Sequence, residues 1–281
     1  MRGRSRIVKG AAPHVTGESV PIEDIESTSP RDPYPVDAPA GVSRTMRRLL
    51  RRLKLALGDN EVFLPLVLRA TPLGTARQLT DQTQLVIEGY PRSGNTFASR
   101  AIEFAATDPI VVSSHVHVPA GVIRAVRLHY PTLVLIRQPL DSICSEKIAA
   151  PHASLSNVTH AWIHYHQKIW PYRHGFVVAT FDEVVTDFGS VTKRVNDRFG
   201  TSFACFVNSD ENKQAVFDAI EERHLAVHGD TEHVMPRPSP SRRSAKEQLL
   251  ERLKGPELQG PLEVAEKLYR DFARLAGTPD L

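Results

Sequence analysis

The chain has 281 residues, is 41% hydrophobic and 24% charged, and carries a formal net charge of +3; these values suit a soluble globular protein and exclude disorder throughout. Its two cysteines, Cys144 and Cys205, exclude a disulfide framework and suit a reducing compartment. No run of about 18 apolar residues predicts a membrane span, and the N-terminus lacks the apolar stretch of a secretory signal, so we expect a cytoplasmic protein.

Residues 1–42 predict a disordered tail. They hold six prolines among scattered charges and show no sustained apolar periodicity, so burial cannot offset the entropy lost on ordering. The basic excess of the chain lies in residues 1–57, where 11 Lys and Arg stand against 6 Asp and Glu. The rest of the chain is near neutral, which argues against a nucleic-acid partner.

Residues 43–83 predict a basic amphipathic helix and a connecting segment. Ser43 suits the N-cap, Gly58 lies just beyond the end, and Met and Leu recur between them at helical spacing. The other faces are basic through Arg44, Arg47, Arg48, Arg51, Arg52 and Lys54. Two interpretations stay open: a helix packed on its own domain with a solvated arginine face, or one that contacts an anionic membrane surface or a partner.

Residues 84–281 predict one α/β domain. Short β-rich runs (QLVIEGY, IVVSSHVHV, TLVLIRQP, FVVATFDEVV) alternate with helical patterns (TFASRAIEFAA, AGVIRAVRLHY, PLDSICSEKIA, SVTKRVNDRFG). Such alternation needs crossover connections, which predict a central, mainly parallel sheet flanked by helices. Ligands bind these sheets beyond the carboxyl ends of the strands, where residues 91–96, His117 and Arg137 fall.

The segment after the first predicted strand nearly matches the phosphate-binding loop of ATPases. From Gly89 it reads G-x-x-x-x-G-N-T, with Asn95 where that loop has lysine. A glycine-bearing turn that opens a helix supplies converging N–H groups and suits a phosphate-like anion. Without the lysine the loop is poorly suited to a triphosphate. It suits a less charged group such as sulfuryl, with Arg92 as the cation.

Four segments, in the correct order, resemble the family of sulfotransferases that use 3′-phosphoadenosine 5′-phosphosulfate (PAPS). YPRSGNTF is similar to the 5′-phosphosulfate loop of that family, and LIRQPLDSICS to its 3′-phosphate motif. HVHVP is similar to the segment of its general base, and VVATFDEVVTDF to a later strand and turn. The resemblance covers about residues 84–200. It implies a P-loop NTPase-like sulfotransferase fold, PAPS as cosubstrate and no catalytic metal.

The resemblance also implies roles for single residues. Arg92 would stabilise the charge that builds on the departing 5′-phosphate, and His117 would take the proton of the acceptor. His115 stays an alternative base, because strand alternation would place both histidines on one face, where they would also suit a metal-ligand pair. The residues implied to bind the cofactor are Pro91, Arg92, Ser93, Gly94, Asn95, Thr96, Phe97, Arg137, Ser145 and Phe181.

The acceptor is expected to be a hydroxyl or amine on a small molecule, glycan or lipid. Two other functions stay open: a P-loop kinase or NTPase, and a non-catalytic nucleotide-binding membrane adaptor that uses residues 43–57. His160 and His164 lack the glutamate of a zinc motif and are interpreted as packed or substrate-lining. The stretch MPRPSPSRRSAKEQL is interpreted as an exposed linker before a helical C-terminus.

Overall fold

A computed structural model of the protein describes Asn60, residues 64–69, residues 78–228, Met235, Arg237 and residues 242–277. The predicted tail of residues 1–42 and the predicted basic helix of residues 43–57 lie outside the described residues. Contacts divide the chain into two units, Met1–Arg31 and Asp32–Leu281, and every described residue belongs to the second.

The described residues contain a four-stranded sheet in which all strands are parallel, in the order β2-β1-β3-β4. The strands are β1 (Leu85–Gly89), β2 (Val112–Ser114), β3 (Thr132–Ile136) and β4 (Val177–Thr180). β1 and β3 are buried at every position, as expected for Leu-, Val- and Ile-rich strands covered on both faces. The predicted α/β architecture with a mainly parallel sheet is confirmed.

Helices connect the strands. In chain order they are α1 (Leu64–Arg69), α2 (Asn95–Ala105), α3 (Pro119–Arg127), α4 (Pro139–Ala149), α5 (Leu155–Ile169), α6 (Phe181–Thr186), α7 (Phe188–Phe199), α8 (Asp210–His228), α9 (Arg243–Leu253) and α10 (Gln259–Leu275). Pro139 opens α4, and Gly200 ends α7 in a left-handed conformation, both as their sequence positions predict.

The side chains of β3 alternate between two apolar clusters. Val134 and Ile136 belong to the cluster that includes α3, α4, α5, α9 and α10. Leu133 and Leu135 belong to the cluster that includes α2, α7 and α8. Successive side chains of a strand point to opposite faces, so helices seal both sides of the sheet. A ligand site in such a sheet is therefore expected at the ends of the strands.

All four strands are shorter than predicted, and β2 and β4 differ most. β2 ends at Ser114, and the following His115 and His117 have left-handed main chains with φ of 68° and 54°. The expectation that strand alternation places these histidines on one face is therefore wrong. β4 ends at Thr180, whose side chain forms a capping box with Glu183. The FDEVV part of the predicted fourth strand is consequently helical.

The short helix α1 lies against the segment that carries the two histidines. Leu64 and Leu68, one helical turn apart, form a buried cluster with Val116, Val118 and Ala120. Part of the predicted connecting segment thus packs directly on the loop between β2 and α3. Within the described ranges, no helix is long and apolar enough to cross a membrane.

Candidate functional site

Two glycines shape the turn between β1 and α2. A Cβ on Gly89, the last residue of β1, would lie 2.5 Å from the carbonyl oxygen of Leu135 on β3. Gly94 is the N-cap of α2 and has a left-handed main chain with φ of 98°. Because Gly94 has no side chain, no N-cap group competes for the first-turn N–H groups of α2. The turn therefore has the form of an anion-binding helix N-terminus.

The side chain of Asn95 packs inside the turn and stabilises it. Its buried side chain donates from Nδ2 to the carbonyl oxygen of Tyr90 at 3.4 Å. Its Oδ1 would lie 3.1 Å from a Cβ at Gly89, so the amide fills the space beside the strand end. Ser93 is also buried, and its Oγ has no hydrogen-bond partner within the described part of the chain. Where the ATPase loop has a cation, this turn has a neutral group that holds its own main chain.

Arg92 ties the turn to distant parts of the chain. Its Nε donates to Oγ of Ser145 in α4 at 3.0 Å, and its Nη2 donates to the carbonyl oxygen of Met235 at 3.1 Å. In α4, Ser142 donates from Oγ to the carbonyl oxygen of Pro91 at 3.2 Å. The main chain of Arg92 is left-handed, with φ of 69°, a conformation that residues with side chains rarely adopt outside functional turns.

Arg137 follows β3 and meets the same turn. Its Nη1 donates to the carbonyl oxygen of Arg92 at 3.1 Å, and its guanidinium carbon lies 4.0 Å from the ring centroid of Phe181, within cation–π range. Its Nη2 lies 3.8 Å from the carboxylate of Asp141. Burial lowers the pKa of Arg137; Asp141 opposes that shift and Arg92 adds to it. Arg137 is thus a desolvated cation beside a second cation, an arrangement that favours an anionic ligand.

Phe181 lies between this arginine and the turn. A Cβ on Gly94 would come within 3.2 Å of the Phe181 ring, so the ring covers the N-cap of α2 closely. Its other neighbour is the Arg137 guanidinium. The first residue of α6 is thereby placed beside the predicted cofactor loop, as the sequence interpretation requires.

Thr96 and Phe97, two further residues predicted to bind the cofactor, differ in how deeply they are buried. Thr96 is half-buried in the first turn of α2. Phe97 is buried, with its ring centroid 6.0 Å from that of Phe206 and 5.2 Å from that of Phe217. The side chain of Phe97 is therefore part of the apolar core, and only its main chain could contribute to a ligand site.

His117 and Arg137 flank the turn, because the strand order places β1 between β2 and β3. Nδ1 of His117 lies 2.9 Å from the carbonyl oxygen of Gly89. A carbonyl oxygen only accepts hydrogen bonds, so Nδ1 carries the proton and Nε2 of the neutral ring keeps a lone pair. His115 is buried, whereas His117 is half-buried, and their ring centroids are 5.4 Å apart. Of the two histidines, His117 is therefore the more accessible to a ligand.

Glu88 is a buried charged residue that sequence reasoning missed. Its Oε1 accepts from the main-chain N–H of Val116 at 2.8 Å, and its Oε2 from that of His117 at 3.1 Å. A signal was present in the sequence, since a carboxylate interrupts an otherwise apolar strand, and a buried charge needs specific partners.

The C-terminal part of the chain also reaches the site. Met235 is buried, and its carbonyl oxygen accepts from Arg92 and, at 2.8 Å, from Nη1 of Arg242. Lys246 of α9 pairs with Asp141 at 2.5 Å. The interpretation of this stretch as a plain exposed linker is therefore wrong at Met235, which is buried, and at residues 243–249, which lie in α9. Every residue has a main-chain carbonyl, so a contact made by this group cannot be predicted from the identity of the residue.

His160 and His164 of α5, interpreted from the sequence as packed or substrate-lining, are not packed in the core. Both lie on the exposed side of that helix. Across the residues that the structure describes, no group of three or more His, Cys, Asp or Glu could hold a metal ion.

Comparisons of the chain with protein-family models, with curated proteins and with solved structures find no match. The fold and the site define a broad class: an α/β protein with an all-parallel sheet, in which arginine, serine and histidine side chains surround the turn after the first strand.

Proposed function

We propose that this protein is a sulfotransferase that moves the sulfuryl group of PAPS to a hydroxyl or amine acceptor. The observation that carries the proposal is the meeting of four sequence-distant groups at one turn. Arg92, Ser145, Arg137 and His117 all lie at the carboxyl edge of a parallel sheet, where such folds bind their ligands.

The donor would be held by two cationic groups and a helix N-terminus. The 5′-phosphosulfate would lie at the first turn of α2, where main-chain N–H groups and the helix dipole favour an anion. Arg137 and Ser145 would take the 3′-phosphate, and Phe181 would contact the adenine. Arg92 would then exchange its hydrogen bonds to Ser145 and Met235 for bonds to donor oxygens.

The chemical step needs one base and a stabilised leaving group. The acceptor oxygen or nitrogen attacks sulfur and its proton passes to Nε2 of His117, while the bond from sulfur to the bridging phosphate oxygen breaks. Negative charge builds on the departing 5′-phosphate, where Arg92 and the α2 terminus stabilise it. The products are a sulfate ester or sulfamate and adenosine 3′,5′-bisphosphate.

The acceptor class stays broad within this proposal: a small molecule, a glycan or a lipid. A lipid or membrane-held acceptor is compatible with the basic stretch of residues 43–57, which lies outside the described residues.

The test is titration calorimetry with adenosine 3′,5′-bisphosphate, followed by a sulfate-transfer screen with radiolabelled PAPS. His117→Ala should abolish turnover and keep the affinity for the bisphosphate within about twofold, because the base acts after the donor is bound. His160→Ala, at an exposed position of α5, is the control; this variant should keep both the turnover and the affinity for the bisphosphate.

The other outcomes separate the alternatives. Hydrolysis of ATP with magnesium, together with failure to bind the bisphosphate, would indicate a kinase or NTPase. Binding of the bisphosphate without turnover in the unaltered protein, across a broad acceptor screen, would indicate a non-catalytic nucleotide-binding protein.

A further inference from the structure

Glu88 is a fully buried carboxylate to which the proposed reaction assigns no role. It lies in β1 one residue before the turn, and both of its oxygens accept main-chain N–H groups from the end of β2. This pattern is that of an ionised carboxylate, in which both oxygens accept. In a protonated acid one of the two oxygens would carry the proton and accept more weakly. The negative charge of Glu88 also adds to the effect of burial in raising the pKa of Tyr165.

The main chain that Glu88 binds is held in an uncommon conformation. His115 and His117 both have left-handed φ, and the N–H groups of Val116 and His117 consequently converge on one carboxylate. Successive N–H groups in such a turn form an anion-binding concavity. Left-handed φ is unfavourable for residues with a Cβ and persists only where the surroundings impose it. Glu88 supplies that constraint from the strand side.

The ring of His117 is held by the next residue of the same strand. Gly89 accepts from Nδ1 through its carbonyl oxygen, while Glu88 binds the main-chain N–H of the same histidine. Two adjacent residues of β1 therefore hold His117 at its main chain and at its ring. A shift of the main chain by an ångström would take Nδ1 out of hydrogen-bonding range of Gly89.

Stability alone is a poor reason to bury this charge. Taking a carboxylate out of water is costly, and the other four residues of the LVIEG strand carry no charge. Buried ionisable groups in specific polar surroundings are enriched at functional sites.

We propose that Glu88 is a positioning residue that fixes the orientation and tautomer of His117, so that Nε2 stays unprotonated and directed to the reacting acceptor. For its effect on turnover this inference rests on the proposed function. Its effect on the tautomer of His117 does not.

The experiment uses the full chain labelled with ¹⁵N, and reads the side-chain tautomers of its histidines by long-range ¹H–¹⁵N correlation. The His117 signals are assigned with His117→Gln. The unaltered protein should show His117 with the proton on Nδ1. Glu88→Gln places an amide NH₂ against a main-chain N–H, so the variant should show mixed tautomers at His117. The kcat should fall on the order of tenfold or more with little change in bisphosphate affinity.

Glu183→Gln is the matched control, because Glu183 also accepts from a main-chain N–H, that of Thr180 at 2.7 Å, yet lies in α6 away from His117. This variant should lower the unfolding temperature and leave the His117 tautomer unchanged. If Glu88→Gln does not fold, Glu88→Asp tests the same point, because its shorter side chain keeps the charge but cannot reach both N–H groups.

An unchanged His117 tautomer in the folded Glu88 variant would overturn the inference. A changed tautomer in a protein that shows no sulfate transfer would leave the role of Glu88 intact and remove the proposed function instead.

Discussion

In the proposed function, Arg137 is the residue on which recognition of the 3′-phosphate depends. Its guanidinium is partly buried beside Arg92, lies over the Phe181 ring, and is only loosely paired with Asp141 at 3.8 Å. Lys246 holds the same carboxylate more closely, at 2.5 Å. A dianionic phosphate could therefore bind Arg137 without first breaking a short ion pair.

Replacement of Arg137 by alanine should weaken the binding of adenosine 3′,5′-bisphosphate about 30-fold or more, because a partly desolvated charged contact is lost. The affinity for adenosine 5′-monophosphate, which lacks the 3′-phosphate, should change little. Titration calorimetry with both nucleotides measures the difference. Arg127→Ala is the control, since Arg127 also stacks on an aromatic ring, Tyr172 at 5.5 Å, but outside the site. Equal weakening of both nucleotides by Arg137→Ala would contradict the 3′-phosphate role.

His166 is a buried histidine that affects stability rather than chemistry. Burial lowers its pKa to about 3, against a smaller opposing effect of its hydrogen bond to the Trp162 carbonyl. Between that value and the ordinary histidine pKa, the unfolded chain binds a proton that the folded protein does not. The free energy of unfolding that the neutral ring contributes is therefore at its maximum above about pH 6.5 and falls as the pH is lowered.

His166→Phe should remove this pH dependence. Between about pH 7 and pH 5, the unaltered protein should lose about 2 kcal/mol more unfolding free energy than the variant. Urea denaturation at the two pH values measures it. His160→Gln, at an exposed position of α5, should keep the slope of the unaltered protein. The same slope in His166→Phe would show that His166 is protonated in the folded state.

At the scale of elements, the turn between β1 and α2 depends on conformation as much as on side chains. Gly94 and Gly200 are both left-handed glycines at helix ends, with φ of 98° and 68°. They differ in their surroundings: a Cβ on Gly94 would meet the Phe181 ring at 3.2 Å, whereas a Cβ on Gly200 would meet nothing within 4 Å. Comparing the same substitution at Gly94 and Gly200 therefore separates the cost of a left-handed main chain from the effect of contact with Phe181.

Alanine at either glycine should cost about 1 kcal/mol of unfolding free energy from the left-handed conformation. Only Gly94→Ala should also weaken the binding of the bisphosphate, because the new methyl group displaces the Phe181 ring. Thermal unfolding and calorimetry measure the two effects. Loss of nucleotide affinity in Gly200→Ala to the same degree would indicate a general loss of structure instead.

The elements that the sequence predicted well carry local signals. β3 is a continuous apolar run, α4 begins at its proline, and α7 ends at Gly200. The β2 segment was predicted poorly, because a period-two pattern of Val and His looks the same whether the chain continues as a strand or turns left-handed. The group that constrains this turn, the Glu88 carboxylate, lies 28 and 29 residues before the two N–H groups that it binds.

At the scale of the whole molecule, α1 connects the N-terminal part of the chain to the site. Leu64 and Leu68 pack on Val116 and Val118, next to His117. The basic stretch of residues 43–57 precedes α1 by only a few residues, so a membrane contact there would keep His117, the base of the proposed reaction, near the bilayer surface.

Replacing Arg47, Arg48, Arg51 and Arg52 together by Gln tests the membrane contact. Each arginine near an anionic surface is worth about 1 kcal/mol, so partition onto phosphatidylserine vesicles should fall more than tenfold while bisphosphate affinity stays unchanged. Vesicle co-sedimentation measures it, with neutral phosphatidylcholine vesicles as the control. Unaltered partition would favour the other interpretation, a helix packed on its own domain.

The sequence alone determined the class of fold, the glycine-bearing turn, and the positions of Arg92, Arg137 and His117 at strand ends. These features follow from periodicity, composition and spacing, which act over a few residues. Only the tertiary structure decided that Arg92 meets Ser145 and Met235, and that Glu88 holds the main chain of His117. Crossover connections bring together residues as many as 143 positions apart, and no local pattern encodes which of them will touch.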